Sequence, residues 1–242
     1  MDGVTIFFPA YNEEMYVRRA VEAAREVVDL MVKAGDISDY EILIINDAST
    51  DNTGSVADEL AAGDERIRVI HHEVNKGLGG AMKSGFANAT REVILYSDID
   101  LPFDMMELTK AYRFMRYYEA DIVSAFRFDR TGEGLRRLIY SKCYNALIMT
   151  LFKLRVKDVN FAFKLVRKNV FDHIELRADG SFIDAELMIK ADRLGMKIIQ
   201  FGTNYFHRSR GVSTLSSWGV IFRILGEMSS FYRELKSIQP VK

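Results

Sequence analysis

Asp98-Ile99-Asp100 places two carboxylates at i and i+2 directly after the apolar run VILYS. From a turn at a strand end both can reach one cleft, and hard oxygen donors of this kind suit Mg²⁺ or Mn²⁺ bridged to substrate phosphates. Asp47 ends a second apolar run, EILIIN, ahead of a Ser/Thr/Asp turn. A carboxylate there accepts hydrogen bonds from a base or ribose, or caps a helix, a role Asp51 or Asn52 can also fill. Pro9-Ala10-Tyr11-Asn12-Glu13 adds an aromatic face and a carboxylate after a third run, VTIFFP. Gly77-Leu78-Gly79-Gly80-Ala81-Met82-Lys83-Ser84 fails as a phosphate-cradling P-loop, because Met82 stands where glycine is required before Lys-Ser. It reads as a turn that lets backbone approach a ligand, or as a tight helix start.

These groups need a scaffold that gathers strand ends. Strands are expected at Val4–Pro9, Glu41–Asn46, Ile67–His71, Val93–Ser97 and Asp121–Phe126. Helices fall between them, the first from Asn12 to about Ala34 with a stripe of Val17, Ala20, Val21, Ala24, Val28 and Met31. Alternation of this kind predicts an α/β domain, a mainly parallel Rossmann-like sheet with helices on both faces. In such sheets ligands bind beyond the carboxyl ends of the strands, where PAYNE, NDAST and SDID all fall.

The 242 residues suit one large domain with 48% apolar and 28% charged content. The single Cys143 cannot form an internal disulfide, which points to a reducing compartment. The opening MDGVTIFFPAYNEE has no basic n-region or long apolar run, so it does not read as a signal peptide. No stretch reaches the ~20 apolar residues that span a bilayer. Net charge is −1, yet Arg127–Lys168 holds eleven Lys or Arg against three Asp or Glu. That local excess predicts an anionic partner. Within it, Leu138–Phe152 is apolar with basic flanks (Arg136, Arg137, Lys153, Arg155, Lys157), a pattern that fits an interfacial helix on anionic lipid or a core helix. Near the C-terminus, Trp218, Ile221, Leu225, Met228, Tyr232 and Leu235 make a helical stripe suited to the body, to lipid or to a second subunit.

PAYNEE, IINDASTD, NKGLGGA, SDID, SAFR with RRLIYSK, DVNFAFKLVRKNV, FIDAEL and HRSRGVS, in this order, resemble family 2 glycosyltransferases of the GT-A nucleotide-diphospho-sugar transferase fold. The polyprenyl-phosphate (dolichyl-phosphate) mannosyl- and glucosyltransferase branch is most similar, and the match runs from about Val4 to Thr214. The resemblance implies a domain over 1–214, with a nucleotide part to about 126, an acceptor part over 127–214 and a C-terminal helix over 215–242. It assigns Pro9, Tyr11, Glu13, Ile45, Asp47, Asp98, Ile99, Arg127 and Arg208 to the nucleotide sugar, and Asp98 and Asp100 to Mg²⁺ or Mn²⁺. Arg137 falls at the arginine for the acceptor phosphate, with Arg136 as a neighbour.

The implied reaction is an inverting transfer from a GDP-mannose or UDP-glucose type donor to a polyprenyl phosphate. Asp100, Asp184 and Arg137 are its catalytic candidates, and Asp184 would be the base for a hydroxyl acceptor, with Glu186 second. Pro102 stands where many mannosyltransferases of this branch have glutamine, and Thr214 where lysine is usual, which leaves the donor open between the two. His207 is a candidate late metal ligand. The implied setting is cytoplasmic and peripheral on a membrane, without nucleic acid, and with a homodimer or a membrane-protein partner in view. The competing expectations are a soluble sugar, glycan or lipid hydroxyl acceptor, and a catalytically silent nucleotide-sugar-binding scaffold subunit.

Overall fold

The computed structural model of the chain describes residues 1–128, 135–206 and 218–238. Seven strands form one sheet: β1 (Val4–Ala10), β2 (Tyr40–Asn46), β3 (Ile67–His71), β4 (Val93–Ser97), β5 (Ile122–Arg127), β6 (Phe163–Arg167) and β7 (Ile198–Thr203). Their order is β3-β2-β1-β4-β6-β5-β7. All pairings are parallel except those of β6, which runs antiparallel to both β4 and β5. The helices are α1 (Glu14–Lys33), α2 (Thr53–Gly63), α3 (Gly77–Asn88), α4 (Glu107–Tyr117), α5 (Leu135–Phe152), α6 (Ile183–Arg193) and α7 (Trp218–Ser237).

Period-two alternation sorts the strands' side chains between two cores. Ile6, Phe8, Ile42, Ile44, Val93 and Leu95 join one core with α1, α2 and α4. Phe7, Leu43, Ile45, Ile94 and Tyr96 join the other with α3, α6 and α7. The α1 stripe expected from sequence is buried. The helix stops where Gly35 takes φ +72°, with Gly35 N–H donating to Val32 O and Asp36 N–H to Met31 O, a paired C-terminal lock.

Helix α7 lies on the body. Phe231 stacks on Phe182 (centroids 6.2 Å, 5°), Tyr232 meets Phe152 edge-on, and Leu235 is fully buried. The Met228, Tyr232 and Leu235 part of the expected stripe thus meets the body, while the side chains of Trp218, Ile221 and Leu225 lie outside those described. Helix α5 buries Ile148 and Phe152 but leaves Ile139 and Met149 exposed. Among the described residues no helix is long and apolar enough to cross a membrane.

Candidate active site

The loops after β1, β2 and β4 meet at one rim of the sheet, and each contains a non-glycine residue in the left-handed region: Asn12 (φ 55°), Ala48 (φ 58°) and Leu101 (φ 52°). Such conformations cost energy that the surrounding contacts must offset, and they gather at functional loops. The β1 and β2 loops are stitched together. Asn12 N–H donates to Ser49 Oγ (3.1 Å), Thr50 N–H to Asn12 Oδ1 (2.8 Å), and Glu13 N–H to Thr53 Oγ1 (2.8 Å). Asp47 N–H donates to Ala10 O (2.9 Å). Tyr11 remains 48% exposed above this seam, so its ring is open to a ligand. Pro9 pairs in register with Ile45, whose side chain is fully buried in the core, as is that of Ile99. Those two positions therefore face a ligand only through backbone.

Asp47 is almost fully enclosed. Its Oδ1 lies 2.6 Å from His72 Nδ1 and accepts the Lys76 N–H at 2.8 Å, so it also caps the start of α3. The glycine-rich segment forms the first turns of α3 rather than a ligand-facing loop. A Cβ at Gly79 would lie 2.3 Å from Ala178 O, and one at Gly85 would lie 2.2 Å from the Phe7 ring. Glycine here permits helix packing.

At the end of β4, Asp98 Oδ1 accepts the Tyr96 hydroxyl at 2.8 Å. Burial drives the Tyr96 pKa far above its ordinary value, and the negative charges of Asp98, Asp184 and Asp100 add to it. All three carboxylates are thus within electrostatic reach of one phenol. The antiparallel β6 supplies the balancing charge. Lys164, opposite Tyr96 in register, is fully buried, pairs with Asp184, donates to Phe161 O (2.8 Å) and sits 5.8 Å from the Tyr96 ring centre. Burial raises the Asp184 pKa; Lys164 opposes this and Asp158 adds to it.

Asp158, itself at φ 50°, grips Arg127 through both carboxylate oxygens (2.6 and 2.7 Å), and the guanidinium lies against Phe161 and Tyr205. Arg127 was expected on phosphate; in this structure Asp158 holds it at the border of the same rim. Arg137 lies on the first turns of α5, described by backbone alone. Arg208, His207 and Thr214 lie outside the described residues.

Tyr96, Asp158, Lys164 and His72 were not singled out from sequence. Lysine inside the apolar run FAFKLV was a usable signal for one of them, because a strand can bury it only beside a carboxylate. Among the described residues no cluster of three or more His, Cys, Asp and Glu assembles. Two carboxylates suffice for Mg²⁺ or Mn²⁺ when diphosphate and water complete the shell, so Asp98 and Asp100 fit such an ion.

Residues 5–175 match the profile described as Glycosyl transferase family 2. The glycosyltransferase AglD of Haloferax volcanii is 28% identical over 84% of this chain, which spans only 33% of that protein's length. The polyprenol monophosphomannose synthase of Mycolicibacterium smegmatis is 27% identical over 87% of this chain and 80% of its own length. The crystal structure of glucosyl-3-phosphoglycerate synthase from Mycobacterium tuberculosis, in complex with Mn²⁺, UDP-glucose and phosphoglyceric acid, superposes with a TM-score of 0.69 at 20% identity, over 94% of this chain and 80% of that one. That likeness carries the GT-A fold. A profile match running through all three rim loops, on the sheet that fold requires, makes this chain a glycosyltransferase of family 2.

Proposed function

We propose that the chain transfers a hexosyl group from a nucleotide-diphosphate sugar to the phosphate of a polyprenyl lipid at a membrane surface. The observation that carries it is the hydrogen bond from the buried Tyr96 hydroxyl to Asp98, with the charges of Asp184 and Asp100 acting on the same phenol and Asp184 paired with a buried Lys164. The stitched β1 and β2 loops, with Tyr11, Glu13 and Asp47, hold the nucleotide, and Asp98 and Asp100 hold Mg²⁺ or Mn²⁺, with the diphosphate between. Bound there, the ion supplies charge neutralisation for the departing diphosphate. Tyr96 fixes the Asp98 carboxylate, and Lys164 keeps Asp184 in place.

An acceptor phosphate is mostly dianionic at neutral pH and attacks without a base, giving inversion at the anomeric carbon. Arg137 and Arg208 are placed on the acceptor and donor phosphates by the sequence pattern. The resemblance to a polyprenol monophosphomannose synthase supports the lipid acceptor. So does the surface: Lys153, Arg155 and Lys157 are exposed while the intervening Leu154 and Val156 are buried, which turns three cations to solvent just after α5, a helix that itself exposes Ile139 and Met149. The division into a nucleotide part to about residue 126, an acceptor part to 214 and a terminal helix belongs to the same reading. So do a cytoplasmic site of action and association with a second subunit.

A hydroxyl acceptor is the second reading. It is favoured by the raised pKa of Asp184, which suits a base. Thermal denaturation with UDP-glucose and GDP-mannose, with and without Mn²⁺, tests the donor site. At about 100 times Kd a ligand adds about 2.7 kcal/mol, roughly 5–10 °C for a chain of this size. Metal-dependent stabilisation by either sugar nucleotide, lost in Asp98→Asn and Asp100→Asn, is expected; no shift with any of them overturns the assignment. Transfer to vesicle-borne polyprenyl phosphate, but not to free sugars, is expected of the acceptor reading.

A further inference from the structure

Half-buried Ser84 and buried His72 and Asp47 form a line of hydrogen-bonded side chains. His72 Nε2 lies 2.8 Å from Ser84 Oγ and Nδ1 lies 2.6 Å from Asp47 Oδ1, and the imidazole and carboxylate are both nearly inaccessible. Facing a carboxylate, Nδ1 carries the hydrogen that Asp47 Oδ1 accepts, and Nε2 meets the Ser84 hydroxyl. The ring is anchored by its own backbone, since His72 N–H donates to Asn46 O at 2.9 Å. Asp47 Oδ1 also accepts Lys76 N–H. Two donors fill the lone-pair sites of that oxygen. Oδ2 takes no hydrogen bond from any described residue.

We propose that His72, backed by Ser84, is the positioning residue that makes Asp47 a one-oxygen acceptor, and that this selects a uridine-type donor over a guanosine-type one. The proposal rests on the reading that Asp47 faces the nucleotide base. Guanine presents two adjacent N–H donors along one edge, which match a carboxylate with both oxygens open. Uracil presents one N–H between two carbonyls, which matches a single open oxygen. With Oδ1 consumed by His72 and Lys76, guanine would leave one of its donors without a partner on desolvation, and a buried unmet donor is the costlier outcome. The Ser84 bond stops the imidazole from turning, so Asp47 cannot rotate to offer both oxygens.

Calorimetric titration of the full chain with UDP and with GDP, both in Mn²⁺, is the test. UDP should bind more tightly by about tenfold or more, the size of one lost hydrogen bond. His72→Asn keeps a donor near the Nδ1 position and should keep the preference; His72→Leu should bring the UDP-to-GDP ratio close to one. A purely structural histidine would change both affinities together and leave the ratio alone. Equal or tighter binding of GDP by the unmodified chain overturns the proposal, and that measurement stands even if the leucine variant does not fold. Weakening of UDP and GDP by the same factor in Asp47→Ala also overturns it, because the carboxylate then touches the ribose. If neither nucleotide binds, the donor-site reading falls instead.

Discussion

The Tyr96 hydroxyl donates to Asp98 Oδ1 at 2.8 Å with Lys164 5.8 Å from its ring centre, so a buried neutral phenol supports the first carboxylate of the Asp98-Ile99-Asp100 turn. Its burial keeps the proton on oxygen throughout the working pH range. Tyr96→Phe removes the donor while preserving the ring packed on Phe7. Affinity for Mn²⁺ with sugar nucleotide should fall about tenfold or more, the usual worth of one hydrogen bond to a charged group. Far-UV circular dichroism should be unchanged. Titrating metal in the presence of donor is the check; an unaltered metal affinity would mean that Asp98 needs no such support.

Lys164 and Asp184 are paired away from water, and each is tolerable only because of the other. Asp184→Asn should therefore destabilise by about 3–5 kcal/mol, most of it the cost of a buried, uncompensated ammonium. The double change Lys164→Met with Asp184→Asn should recover much of that loss, as measured by urea unfolding. Chemistry separates from stability in single-turnover transfer at saturating donor. With a phosphate acceptor the folded Asp184→Asn enzyme should retain the chemical step within about tenfold, whereas a base catalyst would lose about 10²–10⁴-fold.

At the opposite end of β2, Glu41 is buried against Thr5, Thr90 and Arg68. Burial alone would raise its pKa, but the Thr90 amide, the Arg68 guanidinium and the two hydroxyls outweigh it, and the net shift is downward. A carboxylate whose pKa is depressed by folding adds stability above its unfolded value and loses it as pH falls through the folded value. Glu41→Gln should lower Tm at pH 7 and by much less at pH 3, so that the two melting curves converge on acidification. Curves offset equally at both pH values would show that the charge is irrelevant to the fold.

The first half of the architecture was legible because β2 and β4 are wholly buried, β1 nearly so, and all three read as apolar runs: β3 and β4 match their expected bounds, and β1 and β2 extend theirs by one residue. Beyond Arg127 the signal weakens for physical reasons. Strand β6 interrupts its apolar pattern with Lys164, whose place depends on Asp184 twenty residues on, and β7 is a half-exposed edge strand. The rim carboxylates were legible because strand ends are. The supports Lys164 and His72 were not, because they act through contacts between elements distant in sequence that no local spacing records. The glycines of α3 show the same limit, since only the fold reveals that Gly79 and Gly85 face neighbouring chain.

Helix α7 reaches the backbone beside α3 through one carboxylate. Glu227 Oε1 accepts Gly180 N–H at 2.8 Å, and the next residue back, Asp179, accepts Gly79 N–H through its carbonyl (3.0 Å) and Lys83 through its side chain (2.6 Å). Gly79 lies in the first turn of α3, whose start is capped by Asp47. A clamp on Gly180 thus fixes the backbone that α3 leans on. Glu227→Ala removes it and should cost about 1–2 kcal/mol, lowering Tm by roughly 2–8 °C. Because Gly79 and Lys83 lose a fixed partner, amide hydrogen exchange should quicken in residues 77–84 and 178–182 and stay constant in β1 and β2. If exchange rises only within α7, the helix is a passive cover and the rim is set by the sheet alone.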